Sequence, residues 1–139
     1  MRYLHSSRGV LVSKKILVIE GDDVTRELMR KALESRGYDV MVAADAVGGY
    51  ETAVFMKPDL IVTGIQIPGA DGIDVVRQVR DTAALKATPI LVATAFGTGS
   101  ATFSLQEGAN GYEPKPINLQ SFLTTVKRLL ASRDRLRAA

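Results

Sequence analysis

Leu60-Ile61-Val62 constrains this chain more than any other stretch. Pro58-Asp59 stands before it, and Thr63-Gly64 and then Pro68-Gly69 follow. A run this short is a strand rather than a helix, and three successive apolar side chains leave neither face for water. A strand buried on both faces belongs to a parallel sheet with helices packed on each side. The remaining sequence must therefore alternate further apolar strands with amphipathic helices.

It does so. Lys15 to Glu20 (KILVIE) is predicted to be the first strand, with Asp22 and Asp23 as N-cap candidates for a helix from Val24. Leu28, Met29, Ala32 and Leu33 recur in that helix at helical spacing, and Gly37 closes it. Tyr38 to Ala43 is the second strand, and Asp45 caps a helix to about Lys57. Gly48 and Gly49 fall in the first turns of that helix, each costing about 1 kcal/mol against alanine, so it is expected to be the softest. Asp59 to Thr63 is the third strand, Asp71 to Arg80 the third helix and Pro89 to Thr94 the fourth strand. Gly97-Thr98-Gly99-Ser100 is expected to be a loop before a short helix that Gly108 ends. Tyr112 to Ile117 is a fifth strand whose prolines suit a sheet edge. Asn118 caps a last helix with its apolar stripe at Leu119, Phe122, Leu123, Val126, Leu129 and Leu130. Five strands alternating with five helices through short loops define an α/β domain with right-handed crossovers.

Composition narrows the chemistry. The absence of cysteine removes thiolate nucleophiles, thiolate metal sites and disulfides. The single histidine, His5, lies in a stretch expected to be an N-terminal tail (1–13), and no nucleophile–base pair is apparent, so an enzyme is not expected. The net charge is +3. Its excess sits at the ends, in Arg2, Arg8, Lys14 and Lys15 and then in Lys127, Arg128, Arg133, Arg135 and Arg137. The second group suits the C-terminus of a helix, where the dipole favours cations, and no aromatic residue interleaves it for base stacking. Neither a nucleic-acid nor a membrane partner is expected, and the default location is the cytoplasm.

The motifs together resemble the receiver domain of two-component response regulators, the chemotaxis-regulator fold. They are Lys15-Ile16-Leu17-Val18-Ile19 with acidic residues and Arg26 after it, Pro58-Asp59-Leu60-Ile61, Pro68-x-x-Asp71-Gly72, Pro89-Ile90, Thr94-Ala95 and Gly108-Ala109-x-Gly111-Tyr112-x-x-Lys115-Pro116. The resemblance covers about Lys14 to Leu130, within a domain placed at 14–131, leaving 132–139 as a basic helix end or tail. It implies a flavodoxin-like five-stranded sheet of order 2-1-3-4-5 with five helices. It also implies phosphoryl transfer from a histidine kinase to an aspartate ending the third strand, with magnesium held by acidic residues after the first.

Placed on this pattern, Glu20 takes the first acidic position and Gly21 the second, the direct metal ligand. Gly64 takes the phosphoacceptor position, and Gln66 is the residue whose backbone carbonyl would meet the metal. Thr94, Tyr112 and Lys115 stand for the switch threonine, the switch aromatic and the phosphoryl-contacting lysine. Arg26, six residues after Glu20, selects this register over one using Asp22-Asp23. Thr63 cannot replace Gly64, because neighbouring strand residues point to opposite faces.

Glycine offers no atom to attack phosphorus, and a hard cation needs oxygen ligands that Gly21 and Gly64 cannot give. Glu20 and Lys115 can then neutralise each other. Asp22 is read chiefly as an N-cap, with a weak cation site shared with Glu20 as the lesser alternative. The expectation is a degenerate pseudo-receiver without a metal cofactor, acting by protein–protein contact. Its partner would be a histidine kinase or another signalling protein, or a second copy docked through the fourth helix, fifth strand and last helix. The alternative is a small-anion or nucleotide sensor using the Gly97, Thr98, Gly99 and Ser100 loop, although such loops are also Gly-rich for mobility alone.

Overall fold

A computed structural model describes residues 4–5, 11–95 and 98–138. Two short strands, β1 (Leu4–His5) and β2 (Leu11–Val12), pair antiparallel within the stretch expected to be a tail. Then follow β3 (Lys15–Ile19), α1 (Asp23–Glu34), β4 (Asp39–Ala43), α2 (Ala46–Met56) and β5 (Leu60–Gly64). A hairpin of β6 (Gln66–Ile67) and β7 (Ala70–Asp71) leads into α3 (Gly72–Arg80). A 3-10 turn at Ala83–Leu85 precedes β8 (Ile90–Thr94), α4 (Thr98–Gln106), β9 (Gly111–Pro114) and α5 (Leu119–Ala138).

The central sheet is parallel throughout, in the order β4-β3-β5-β8-β9. Counting only its own strands, this is the expected 2-1-3-4-5. Strand alternation divides the core in two. Ile16 and Val18 face α1 and α5, packing with Leu60, Val62, Phe122 and Val126. Leu17 and Ile19 face α2 and α3, packing with Ile61, Val76, Val79 and Val92. Each fully buried Ile, Leu or Val is worth about 1.5–3 kcal/mol, so these two layers carry the stability of the fold.

The helix starts follow their caps. Asp22, Asp45 and Asp71 accept hydrogen bonds from the amides of Thr25, Gly48 and Ile73 at 2.8, 2.7 and 2.7 Å. Gly49 lets α2 approach the sheet, because a Cβ there would lie 2.6 Å from Ile19 Cδ1.

Two expectations for the second half of the chain are corrected. Gly97 lies outside the described residues, and Thr98, Gly99 and Ser100 form the first turn of α4 rather than a loop. The fifth central strand is Gly111–Pro114, ending before Lys115. Of the two readings of 132–139, helix end or tail, the structure has the helix end, with α5 continuing through the basic residues to Ala138.

Candidate functional site

Parallel strands bring their C-terminal ends to one edge of the sheet, and the order β3-β5-β8-β9 lays four positions side by side there. Glu20 follows β3, Gly64 ends β5, Thr94 ends β8 and Lys115 follows β9. Register sets the spacing, with Ile19 opposite Thr63, Gly64 opposite Ala93 and Thr94 opposite Pro114.

Glu20 dominates this edge. It is 1% exposed, and its Oε1 lies 2.6 Å from Lys115 Nζ. The contact is an ion pair rather than an aligned hydrogen bond. Glu20 Oε2 accepts from the Asp22 amide at 3.0 Å. The backbone oxygen of Glu20 accepts from Arg26 at 2.8 Å, and Arg26 also pairs with Asp23 at 2.5 Å. Arg26 thus holds the turn after β3 from the first turns of α1.

The carboxylate of Glu20 reaches sideways into the space beside Gly64. A Cβ on Gly64 would stand 3.0 Å from Glu20 Oε1 and 3.4 Å from Ile67 Cγ2. The place of a β5 side chain is therefore taken by a carboxylate from β3, with its counter-charge from beyond β9. Gly21 is closed differently, since a Cβ there would lie 2.8 Å from Pro68 Cδ. Pro68 belongs to the β6–β7 hairpin, which is anchored by the Ala46 amide donating to the Pro68 oxygen at 2.9 Å. Neither Gly21 nor Gly64 has positive φ, so neither glycine is demanded by its backbone conformation. Each is matched to a neighbour that fills its side-chain space.

The other positions have simpler surroundings. Thr94 is 3% exposed, and its backbone oxygen accepts from the Lys115 amide at 2.8 Å. Tyr112 is exposed on β9, and a cis peptide joins Lys115 to Pro116. Asp22 stays at the surface as the cap of α1. The Thr25 hydroxyl and then the Thr25 amide hold its carboxyl below the usual carboxylate range. A cavity of about 30 Å³, the share of one water in the liquid, is lined by Ile65, Gln66, Ala93, Thr94, Ala95 and Lys115.

These donors do not fit a resident divalent cation. Glu20 is engaged by an ammonium, Gly21 and Gly64 bring no side-chain oxygen, and Pro68 packs where a carboxylate at 21 would begin. Among the described residues no group of three or more His, Cys, Asp or Glu converges. No described helix is long and apolar enough to cross a membrane.

One buried carboxylate escaped the sequence reading. Glu113 on β9 is 6% exposed, its Oε2 accepting from the Thr125 hydroxyl of α5 at 2.7 Å while Oε1 meets no hydrogen-bond donor among the described residues. Strand alternation was the available signal, since Gly111 and Glu113 point inward and Tyr112 and Pro114 outward.

A doubly wound parallel sheet whose C-terminal edge gathers a carboxylate, a threonine and a lysine defines the class as a flavodoxin-like signalling domain. The model of the response regulator receiver domain matches residues 16–127, and the chain belongs to that family. As a receiver domain it is a part of two-component signal transduction. Response regulator MprA of Mycobacterium ulcerans is 38% identical over 120 residues, which are 86% of this chain and 51% of that protein. The M. tuberculosis protein of the same name is 37% identical over the same extent. The chain thus spans about half the length of these relatives. The crystal structure of chemotaxis response regulator CheY4 of Vibrio cholerae is 28% identical, with a TM-score of 0.80, covering 85% of this chain and 99% of that one. A receiver domain from Methanospirillum hungatei, 24% identical with a TM-score of 0.81 over 88% of this chain and 97% of its own, shares the fold.

Proposed function

We propose that this receiver domain works without phosphorylation, as a pseudo-receiver that signals by protein–protein contact. The observation that carries the reading is Glu20. It fills the side-chain space of the phosphoacceptor position and neutralises Lys115 there, so the edge holds an internal ion pair in place of a free nucleophile. No magnesium is required in this reading, and no catalysis, because a glycine at 64 cannot form an acyl phosphate. Its partners are a histidine kinase or another signalling protein in the cytoplasm. The face formed by α4, β9 and α5, with Phe103, Leu105 and Tyr112 exposed, is the surface offered to a partner or a second copy.

The anion-sensor alternative has less support. Its glycine loop is helical from Thr98, and the cavity beside Lys115 is the size of a water rather than a nucleotide.

Treatment with acetyl phosphate, and separately with beryllofluoride and magnesium, tests the proposal. The intact mass and the amide NMR spectrum around Gly64 are expected to stay unchanged. An adduct labile to acid and hydroxylamine would refute it.

A further inference from the structure

Helix α5 outruns the sheet it packs on. Its 20 residues span about 30 Å, while a strand of five residues covers roughly 17 Å. Its last turns reach the N-terminal ends of the strands, where Arg133 bonds the Pro58 oxygen and Asp59 just before β5. This edge is opposite the one that holds Glu20 and Lys115. Leu129, Arg133 and Leu136 recur there at i, i+4 and i+7, and so share one face of the helix. Across a gap from them runs the turn before β8, where Ala84, Ala87 and Pro89 bring only small side chains. The result is a cleft of about 590 Å³, within the roughly 300–1,000 Å³ of small-molecule sites.

The lining is mostly apolar, and its only charged residues are two cations, Lys86 and Arg133. Asp59 and Asp134, which adjoin Arg133, are already paired with Arg133 and Lys14. Lys86 has no ion-pair partner among the described residues. A third cation stands behind the turn. Arg80 donates to the backbone oxygens of Lys86 and Thr88 at 3.1 and 2.7 Å, which also fixes this wall of the cleft in place.

We propose that the cleft binds a small amphiphilic anion, a carboxylate on an extended apolar body. The body lies against Leu129, Leu136 and Pro89, and the carboxylate sits at Lys86. An uncharged apolar molecule leaves Lys86 unused, and a cationic one meets like charge. A polyanion such as a polyphosphate offers too little apolar surface for the alanines and leucines. The site uses no residue of the Glu20 edge, so it is independent of whether Gly64 excludes phosphorylation.

Titration of the whole chain with sodium octanoate below its micellar concentration, followed by amide NMR and calorimetry, tests the proposal. Octanol and octylamine are the neutral and cationic controls. The expected result is saturable one-to-one binding with Kd on the order of 1 mM and shifts concentrated in 83–89 and 129–136. Octanol binds roughly three-fold more weakly, and octylamine more weakly still. Lys86→Glu weakens octanoate binding roughly three- to ten-fold. Leu136→Asp, at a site 78% exposed with little packing to lose, abolishes saturation. Phe55→Ser, on the exposed face of α2, leaves binding unchanged. Absence of saturation overturns the proposal. So do shifts that centre on Phe55 or Phe103 instead of the cleft, equal affinity for octanol and octanoate, or a Lys86→Glu variant that binds octanoate as the parent does.

Discussion

Two carboxylates lie buried near the C-terminal ends of the strands, and they are held in opposite ways. Glu20 has an ammonium 2.6 Å from one oxygen and a backbone amide on the other. Glu113 has one hydroxyl donor, from Thr125, and an oxygen with no donor among the described residues. Burying a charge is costly unless it is paired and hydrogen-bonded. The first residue is therefore integrated into the fold, whereas the second is tolerated by it. The difference follows from position: Glu20 borders a space that Gly64 leaves open and Lys115 can enter, while Glu113 is enclosed between the sheet and α5.

The largest test of this contrast is Lys115→Met. It strands Glu20 as an unpaired buried charge and is expected to lower stability by about 3–5 kcal/mol in denaturant unfolding. Adding Glu20→Leu should recover most of that loss, because replacing both members of a buried pair is close to neutral. A small effect of Lys115→Met would show that Glu20 does not depend on its partner.

Gly21→Asp comes next. The new Cβ meets the Pro68 ring, and overpacking of this kind costs about 1–3 kcal/mol in thermal or chemical melts. Gly64→Asp should cost less, because its nearest neighbour is the movable end of Glu20. Placing aspartates at both positions should accordingly give little recovery with magnesium until the hairpin carrying Pro68 is also relaxed. Strong magnesium stabilisation of the double variant would show that this hairpin yields freely.

The third effect has the opposite sign. Glu113→Leu removes an unsatisfied buried oxygen and should raise stability by about 1 kcal/mol. The freed Thr125 hydroxyl can bond back to its own helix. A destabilised Glu113→Leu variant would mean that Glu113 is as well accommodated as Glu20.

The smallest test uses a carboxylate held in water. Thr25 lowers the pKa of Asp22 from its ordinary value of 3.8. A depressed folded pKa contributes stability above the unfolded value, and that contribution disappears as pH falls through the folded one. Acidification from neutrality to below 3.8 should therefore lower the melting temperature of the parent more than that of Asp22→Asn. Equal slopes would remove Asp22 from the pH response.

The sheet was legible from local pattern, because KILVI and LIV impose burial on both faces and the aspartates impose caps whatever surrounds them. The ion pair at the edge was legible from charge balance, since one ammonium and one carboxylate remained near each other. Thr98 to Ser100 misled because two glycines and hydroxyl residues signal a loop locally, while α4 continues through them. Alternation along β9 pointed Glu113 inward, but its Thr125 partner, like Pro68 against Gly21, was invisible for another reason. Both depend on how segments distant in sequence meet, which no spacing along the chain encodes. The β6–β7 hairpin escaped because its two-residue strands are too short to show a period.

The seating of Pro68 over Gly21 ties the turn after β3 to the β6–β7 hairpin, so that a side chain at 21 and the ring at 68 have to change together. Position 64 is tied more loosely, because the atom a side chain would meet first there is the movable end of Glu20. Contacts of this kind make the effect of one substitution depend on what stands at the other position. For a pair so coupled, the order in which two changes are made matters as much as their sum.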